Sequence, residues 1–184
     1  MRIIAGKAGS IPLQVPKTLT RPTTDRVRES IFSSLGERVV DATVLDLFAG
    51  SGSLGIEALS RGAKSAVFVD TSRHACDSIN HNLEKAKLSG GTTRSSDVRS
   101  FISSRSSGEF DLIFADPPYA RDEDSAAMVE AIVTSESLRG SLSGGGLMIL
   151  ETLASADRPD LALWEVVREK RYGKTKVFFL SAAT

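Results

Sequence analysis

Five short strand candidates, at 43–48, 65–69, 92–95, 110–115 and 146–150, alternate along this chain with helix candidates at 53–61, 73–88, 97–104 and 124–135. This alternation is the strongest constraint on the fold. Strand–helix–strand units with right-handed crossovers place successive strands parallel in one sheet, with helices on both faces. The tail breaks the rule: segments 162–170 and 175–180 flank Tyr172-Gly173-Lys174, a turn short enough for an antiparallel hairpin. The expected fold is therefore α/β and Rossmann-like, mostly parallel, ending in an antiparallel C-terminal hairpin.

Before the alternation begins, residues 1–22 contain Pro12, Pro16 and Pro22 and read as irregular or hairpin-like. A helix follows from about Asp25, where Val27, Ile31 and Leu35 recur at helical spacing and Thr24 or Asp25 can cap its start. Ser/Gly-rich stretches at 89–91, 103–108 and 141–146 read as loops rather than linkers, so the 184 residues are expected to form one domain, with 1–40 as an N-terminal extension. No apolar run approaches a membrane span, and the N-terminus lacks the apolar stretch of a secretory signal, so the cytoplasm is the expected address. One cysteine, Cys76, excludes an intrachain disulfide; with Ile79, Leu83 and Ala86 it follows helical spacing and is expected in the core. His74 and His81 point to the opposite face without partners at metal-ligand spacing, and no metal site is expected. Trp164 is read as a core residue.

The first strand runs through Asp46-Leu47-Phe48 into Ala49-Gly50-Ser51-Gly52-Ser53-Leu54-Gly55. Glycines at 50, 52 and 55 permit a tight turn, close approach to a ligand and close helix packing. Taken alone, that triplet also suits a dinucleotide, whose pyrophosphate would sit at the helix N-terminus. The surrounding acids sharpen the reading. Asp46 lies inside the strand end, placed to meet an amine; Asp70 ends the second strand, placed to accept from ribose hydroxyls; Asp97 follows the third, within reach of an adenine amine or as a helix cap. Three acids at consecutive strand ends fit a cationic nucleoside better than a doubly phosphorylated one. S-adenosylmethionine is such a ligand.

At the end of the fourth strand stands Asp116-Pro117-Pro118-Tyr119. Proline lacks an N–H and fixes φ, so the chain must turn rigidly there, presenting a carboxylate, outward carbonyls and a flat ring at one point. That set suits a planar base bearing an amine: oxygens accept from the amine while the ring stacks. Charge adds a little. The formal net charge is zero, but residues 1–45 carry seven Lys/Arg against four Asp/Glu and residues 165–176 carry five against two, two basic ends able to flank a phosphate path. Arg21, Arg26 and Arg28, with Lys170, Arg171, Lys174 and Lys176 in the tail, are candidate phosphate contacts; solvated arginines at a helix start are the plainer alternative.

The glycine run at 46–55, Asp70 and Asp116-Pro117-Pro118-Tyr119 resemble the class I methyltransferases that modify exocyclic amines of bases. Arg2-Ile3-Ile4, the run Arg21-Pro22-Thr23-Thr24-Asp25-Arg26-Val27-Arg28-Glu29-Ser30 and the tail Tyr172-Gly173-Lys174-Thr175 are similar to the RsmD family, across essentially the whole chain. The resemblance implies a seven-stranded sheet with the last strand antiparallel and S-adenosylmethionine at the glycine loop, held by Asp46, Phe48, Ala49, Gly50, Ser51, Gly52, Gly55, Asp70 and Asp97. It implies Asp116, Pro117, Pro118 and Tyr119 as the catalytic set, acting on guanine N2 in 16S ribosomal RNA of the small subunit, and RNA contact through the N-terminal extension, with the protein acting as a monomer. One departure is visible: Lys7 to Leu13 holds a single lysine where the family usually carries a basic patch. The rival readings are an adenine-N6 methyltransferase, disfavoured by the lack of room for a target-recognition domain, a nicotinamide-dependent oxidoreductase, which leaves the Asp-Pro-Pro-Tyr unexplained, and a non-catalytic ribosome-assembly factor.

Overall fold

A computed structural model describes residues 1–16, 23–103, 108–118 and 123–183, and of 123–125 the backbone alone. Seven strands form one sheet: β1 (Thr43–Leu47), β2 (Ser65–Asp70), β3 (Gly91–Ser95), β4 (Phe110–Ala115), β5 (Leu142–Leu153), β6 (Trp164–Tyr172) and β7 (Thr175–Ala182). Their order is β3-β2-β1-β4-β5-β7-β6, with every pair parallel except β5–β7 and β6–β7. Both the parallel body and the antiparallel tail follow the sequence pattern.

Helices lie on both faces. On one, α1 (Asp25–Leu35), α2 (Ser53–Ser60) and α3 (Arg73–Lys85) bury Ile31, Phe32, Leu59 and Ile79 against Val44, Phe68 and Phe114 of the sheet. On the other, α4 (Val98–Ser103), α5 (Glu123–Val133) and α6 (Glu136–Ser141) bury Phe101, Ile132 and Leu138 against Leu45, Ile113 and Met148. Strands β2, β4, β5 and β7 alternate between the two cores, as pleated strands do. Cys76 is buried in α3, His74 and His81 are exposed, and Trp164 is buried with its indole N–H donating to Val133 O at 2.8 Å.

Two elements escaped the sequence pattern. A 3₁₀ turn at Gly36–Val39 follows α1, and α6 starts where Ser135 accepts from Leu138 N at 3.1 Å. Helices this short bury too few residues to show a period. The stretch 141–146, read as a loop, mostly joins β5: the strand begins at Leu142, and a register shift opposite Phe110 and Leu112 absorbs its glycines.

The N-terminal segment is hairpin-like. Ile3 N donates to Ile11 O at 2.9 Å, Leu13 N to Met1 O at 3.1 Å, and Arg2 bridges to Pro12. Buried polar side chains of the helices hold it in place. Glu57 of α2 accepts from Ile4 N at 2.7 Å and Ala5 N at 3.0 Å; Asn82 of α3 accepts from Gln14 N at 2.7 Å and donates to Gln14 O at 2.9 Å. The same Asn82 amide donates to Ser51 O at 3.1 Å, so one side chain joins this segment to the glycine turn.

Candidate active site

Strand order reverses between β1 and β4, and an open α/β sheet offers its ligand crevice at the carboxyl ends of the strands beside such a reversal. Register determines what stands there. Leu47 pairs with Val69 on one side and Ala115 on the other, the last rung of both ladders, and Phe48, Asp70 and Asp116 follow directly from its three residues. Residues up to 68 positions apart in the chain thus arrive at neighbouring strand ends because their strands end level. A cleft of about 850 Å³ opens over this rung, lined among others by Asp46, Asp70, Asp97, Asp116 and Pro117.

The turn after β1 is built by backbone strain and small residues. Phe48 has φ 59°, an uncommon conformation for a large side chain, and Gly50 follows at φ 56°. Ala49 N donates to Val69 O at 3.0 Å and Gly50 N to Asp70 Oδ2 at 2.9 Å; Ser72 N donates to Asp70 Oδ1 at 2.8 Å. Two amides therefore fix the Asp70 carboxylate, which keeps acceptor capacity for a diol because an ionised carboxylate offers about four lone-pair sites. Phe48, Ala49, Gly50 and Ser51 line the cleft. Ser51 contributes mainly shape: it is buried, and its hydroxyl donates to Met1 Sδ at 3.3 Å.

Gly52 and Gly55 stand behind the cleft wall and act through packing rather than as its lining. A Cβ on Gly52 would lie 3.0 Å from Ile79 Cγ1, and one on Gly55 would lie 2.3 Å from Phe68 Cε1. Gly55 N also donates to Asp46 Oδ2 at 2.9 Å. Asp97 both lines the cleft and caps α4, accepting from Ser100 N at 3.0 Å, so the two sequence readings of this residue coexist geometrically.

Asp46 is 2% exposed, and its carboxyl is pushed up to about 8, first by desolvation and then by the charges of Asp116 and Asp70, against the Gly55 bond. It is therefore largely protonated at neutral pH. Because the unfolded chain ionises near the ordinary carboxylate value while the folded chain holds its proton, this group's contribution to stability is complete below about pH 4 and declines as pH rises to about 8. Asp46→Asn keeps an oxygen for Gly55 N without that cost. Its melting temperature is expected to gain progressively on the native protein between about pH 4 and pH 8, in thermal melts across pH.

Asp116 follows β4 directly, and Thr23 Oγ1 donates to its Oδ2 at 2.6 Å. Pro117 is buried and Pro118 exposed, both at the cleft. Tyr119 and Arg21 lie outside the described residues. Thr23 escaped the sequence reading as a site residue although it sits within the distinctive run at 21–30; the signal was present, but the motif does not reveal which of its residues reaches across 93 positions to the carboxylate.

The candidate phosphate contacts divide. Arg171 and Lys174 are exposed and line the cleft with Gly173, because the antiparallel hairpin brings its turn to this edge of the sheet. Arg26 is exposed on α1. Arg28 must be corrected: it is fully buried, with Nη2 donating to Arg2 O at 2.6 Å and Asp25 Oδ1 at 2.8 Å and Nη1 donating to Ser53 O at 3.3 Å. Helical geometry turns position 28 inward beside Val27 and Ile31, where no phosphate reaches it. Lys170 is likewise occupied, donating to Ser34 Oγ at 2.7 Å, and Lys176 lies 3.8 Å from Glu169. Among the described residues no His/Cys/Asp/Glu group could hold a metal ion.

A seven-stranded sheet in this order, with an antiparallel hairpin, a glycine turn after β1 and Asp-Pro-Pro after β4, defines a class I methyltransferase fold of Rossmann-like type. Comparison with known proteins agrees. Residues 1–181 match the family described as Conserved hypothetical protein 95. The chain is 35% identical over 176 residues to Ribosomal RNA small subunit methyltransferase D of Escherichia coli strain K12, covering 95% of this chain and 86% of that one. The namesake from Haemophilus influenzae is 31% identical over 180 residues, with 94% and 89% covered. The solved structure of the Escherichia coli protein yhhF superimposes with a TM-score of 0.82 at 33% identity, covering 100% of this chain and 99% of that one. This chain belongs to the RsmD family of methyltransferases.

Proposed function

We propose that this protein transfers a methyl group from S-adenosylmethionine to the N2 amine of one guanine in 16S ribosomal RNA, acting in the cytoplasm as a monomer on an assembling or assembled small subunit. The observation that carries this reading is the single cleft lined by Phe48, Asp70 and Asp116, which follow the last common rung of β1, β2 and β4. The residues fit the cofactor. Gly50 leaves room for close approach, Asp70 and Asp97 offer acceptors for ribose and adenine, and the acid-lined wall suits a cation. Bound there, S-adenosylmethionine supplies a methyl group whose carbon–sulfur bond breaks as the carbon–nitrogen bond forms, the electron pair leaving on sulfur.

The chain's own work is mostly positioning. The lone pair of a guanine N2 is delocalised into the ring. Acceptance of its two protons by Asp116 and the Pro117 carbonyl localises that pair and aims it at the methyl. Tyr119 stacks on the base, worth about 1–3 kcal/mol for such contacts. After transfer the nitrogen carries a positive charge and releases one proton, to Asp116 or to water. The base has to leave its own stack, which costs less in a loop than in a duplex. Arg171 and Lys174 at the mouth, with Arg26 on the N-terminal extension, hold the RNA backbone.

The test is tritium transfer from labelled S-adenosylmethionine to 16S RNA, naked and within small subunits, followed by nucleoside analysis. N2-methylguanosine at one position is the expected product; label in N6-methyladenine would replace the substrate, and no label would remove the activity. In the same assay Arg171→Ala with Lys174→Ala is expected to raise KM for RNA about tenfold with kcat nearly unchanged, and to flatten the salt dependence by roughly 1.5 units of slope.

A further inference from the structure

We propose that Thr23 is a positioning residue for the methyl-transfer step: its hydroxyl donates to one oxygen of the Asp116 carboxylate and helps to set the angle at which that group meets the target amine. The inference rests on the reading of Asp116 as acceptor of the target amine. Thr23 is 6% exposed, and its Oγ1 lies 2.6 Å from Asp116 Oδ2, the length of a charge-assisted bond. A hydroxyl this buried is costly to leave unbonded, so the pairing is specific to that carboxylate.

Thr23 is itself anchored through the helix that follows it. The next residue, Thr24, caps α1 by accepting from Val27 N at 3.4 Å, and α1 is pinned through Arg28 to Arg2 O at 2.6 Å and to Ser53 O at 3.3 Å, at the start of α2. The donor therefore reaches Asp116 from a body tied to the glycine turn rather than from a free loop. A hydroxyl donor narrows the rotation of a carboxylate about its last bond, and a target amine needs an oxygen at one angle.

Charge gives the hydroxyl a second task. Asp46 and Asp70 flank Asp116 from β1 and β2, Asp97 faces the cleft from the start of α4, and Arg171 and Lys174 face it from the hairpin. Burial raises the Asp46 carboxyl, and the charges of Asp116 and Asp70 add to that rise. In such a cluster a proton settles where the charged form is least supported. A hydroxyl that donates to a carboxylate oxygen supports its charged form. One such bond does not exhaust a carboxylate's lone pairs, so Asp116 retains an acceptor for the target amine.

The experiment compares Thr23→Val, which keeps the shape, with Thr23→Ser, which keeps the hydroxyl. Single-turnover methyl transfer to small-subunit RNA is followed from about pH 5.5 to 9, and S-adenosylmethionine affinity is measured by calorimetry. Thr23→Val is expected to lose about tenfold or more in rate and to move the acid limb of the pH–rate profile to higher pH, with cofactor affinity within about twofold of native. Thr23→Ser is expected to recover rate and profile to within about threefold. An active native enzyme with a Val variant of unchanged rate and profile would overturn the Thr23 assignment alone. So would a Val variant that loses cofactor affinity in step with rate, or a Ser variant as slow as Val. A native protein that binds cofactor yet methylates no RNA would overturn the proposed function, and the Thr23 role with it.

Discussion

Asp116→Ala is expected to lower single-turnover methyl transfer about a thousandfold while S-adenosylmethionine affinity stays within about threefold of native. The separation follows from construction. Asp70 is oriented by Gly50 N and Ser72 N, and the turn at 48–52 is closed by Ala49 N on Val69 O and Gly52 N on Ala49 O. None of these bonds involves Asp116. The cofactor wall thus survives its removal, while the target amine loses the acceptor that localises its lone pair. Asp116→Asn separates charge from geometry: an amide oxygen still accepts, but its neutral dipole supports developing positive charge less, and an intermediate rate is expected. Rapid-quench measurement of one turnover, paired with calorimetry, checks both halves. An alanine variant with near-native rate would remove Asp116 from the chemistry.

Arg28→Ala is expected to cost about 3–5 kcal/mol of stability in urea unfolding, against less than about 0.5 kcal/mol for Arg26→Ala two residues away. Arg28 and Glu57 are both fully buried, 3.9 Å apart, and Glu57 also takes Arg61 Nε at 2.7 Å and the amides of Ile4 and Ala5. Truncation at 28 strips the Arg2 and Ser53 carbonyls of their donor, opens a cavity and leaves a buried carboxylate with one cation instead of two. The loss falls on the junction between α1, α2 and the N-terminal segment. Limited proteolysis of that segment is expected to quicken in Arg28→Ala and not in Arg26→Ala. Equal stability of the two variants would mean that the buried pair contributes nothing net.

These two arginines also show where sequence stops being legible. Both carry the same charge in the same basic run, and pattern alone offered both to RNA. Burial separated them, and the clue was spacing: position 28 adjoins the apolar face of Val27 and Ile31, whereas 26 does not. The strand–helix alternation, the hairpin and the acids at strand ends were readable because each is a local pattern with a period or a breaker. Asp70 and Asp116 were readable as strand-end acids, but not the common rung they follow, which is set by pairing partners far apart in the chain. Thr23 and Asn82 were unreadable for the same reason. A hydroxyl or an amide gives no sign in sequence of the partner it will meet across 93 or 68 positions.

The hairpin has a consequence for how a nucleotide would approach. Had the last strand run parallel, its amino end would lie far from the cleft; because β7 runs antiparallel to β5, the turn at Gly173 and Lys174 lies at the cleft instead. One wall of the opening is thereby acidic, with Asp70 and Asp116, and another part of the rim electropositive, with Arg171 and Lys174. A nucleotide is itself a dipole, anionic at the phosphate and hydrogen-donating at an amine-bearing base. Such an opening turns it like a needle in a field, base inward and backbone outward, before any contact reads which base it is.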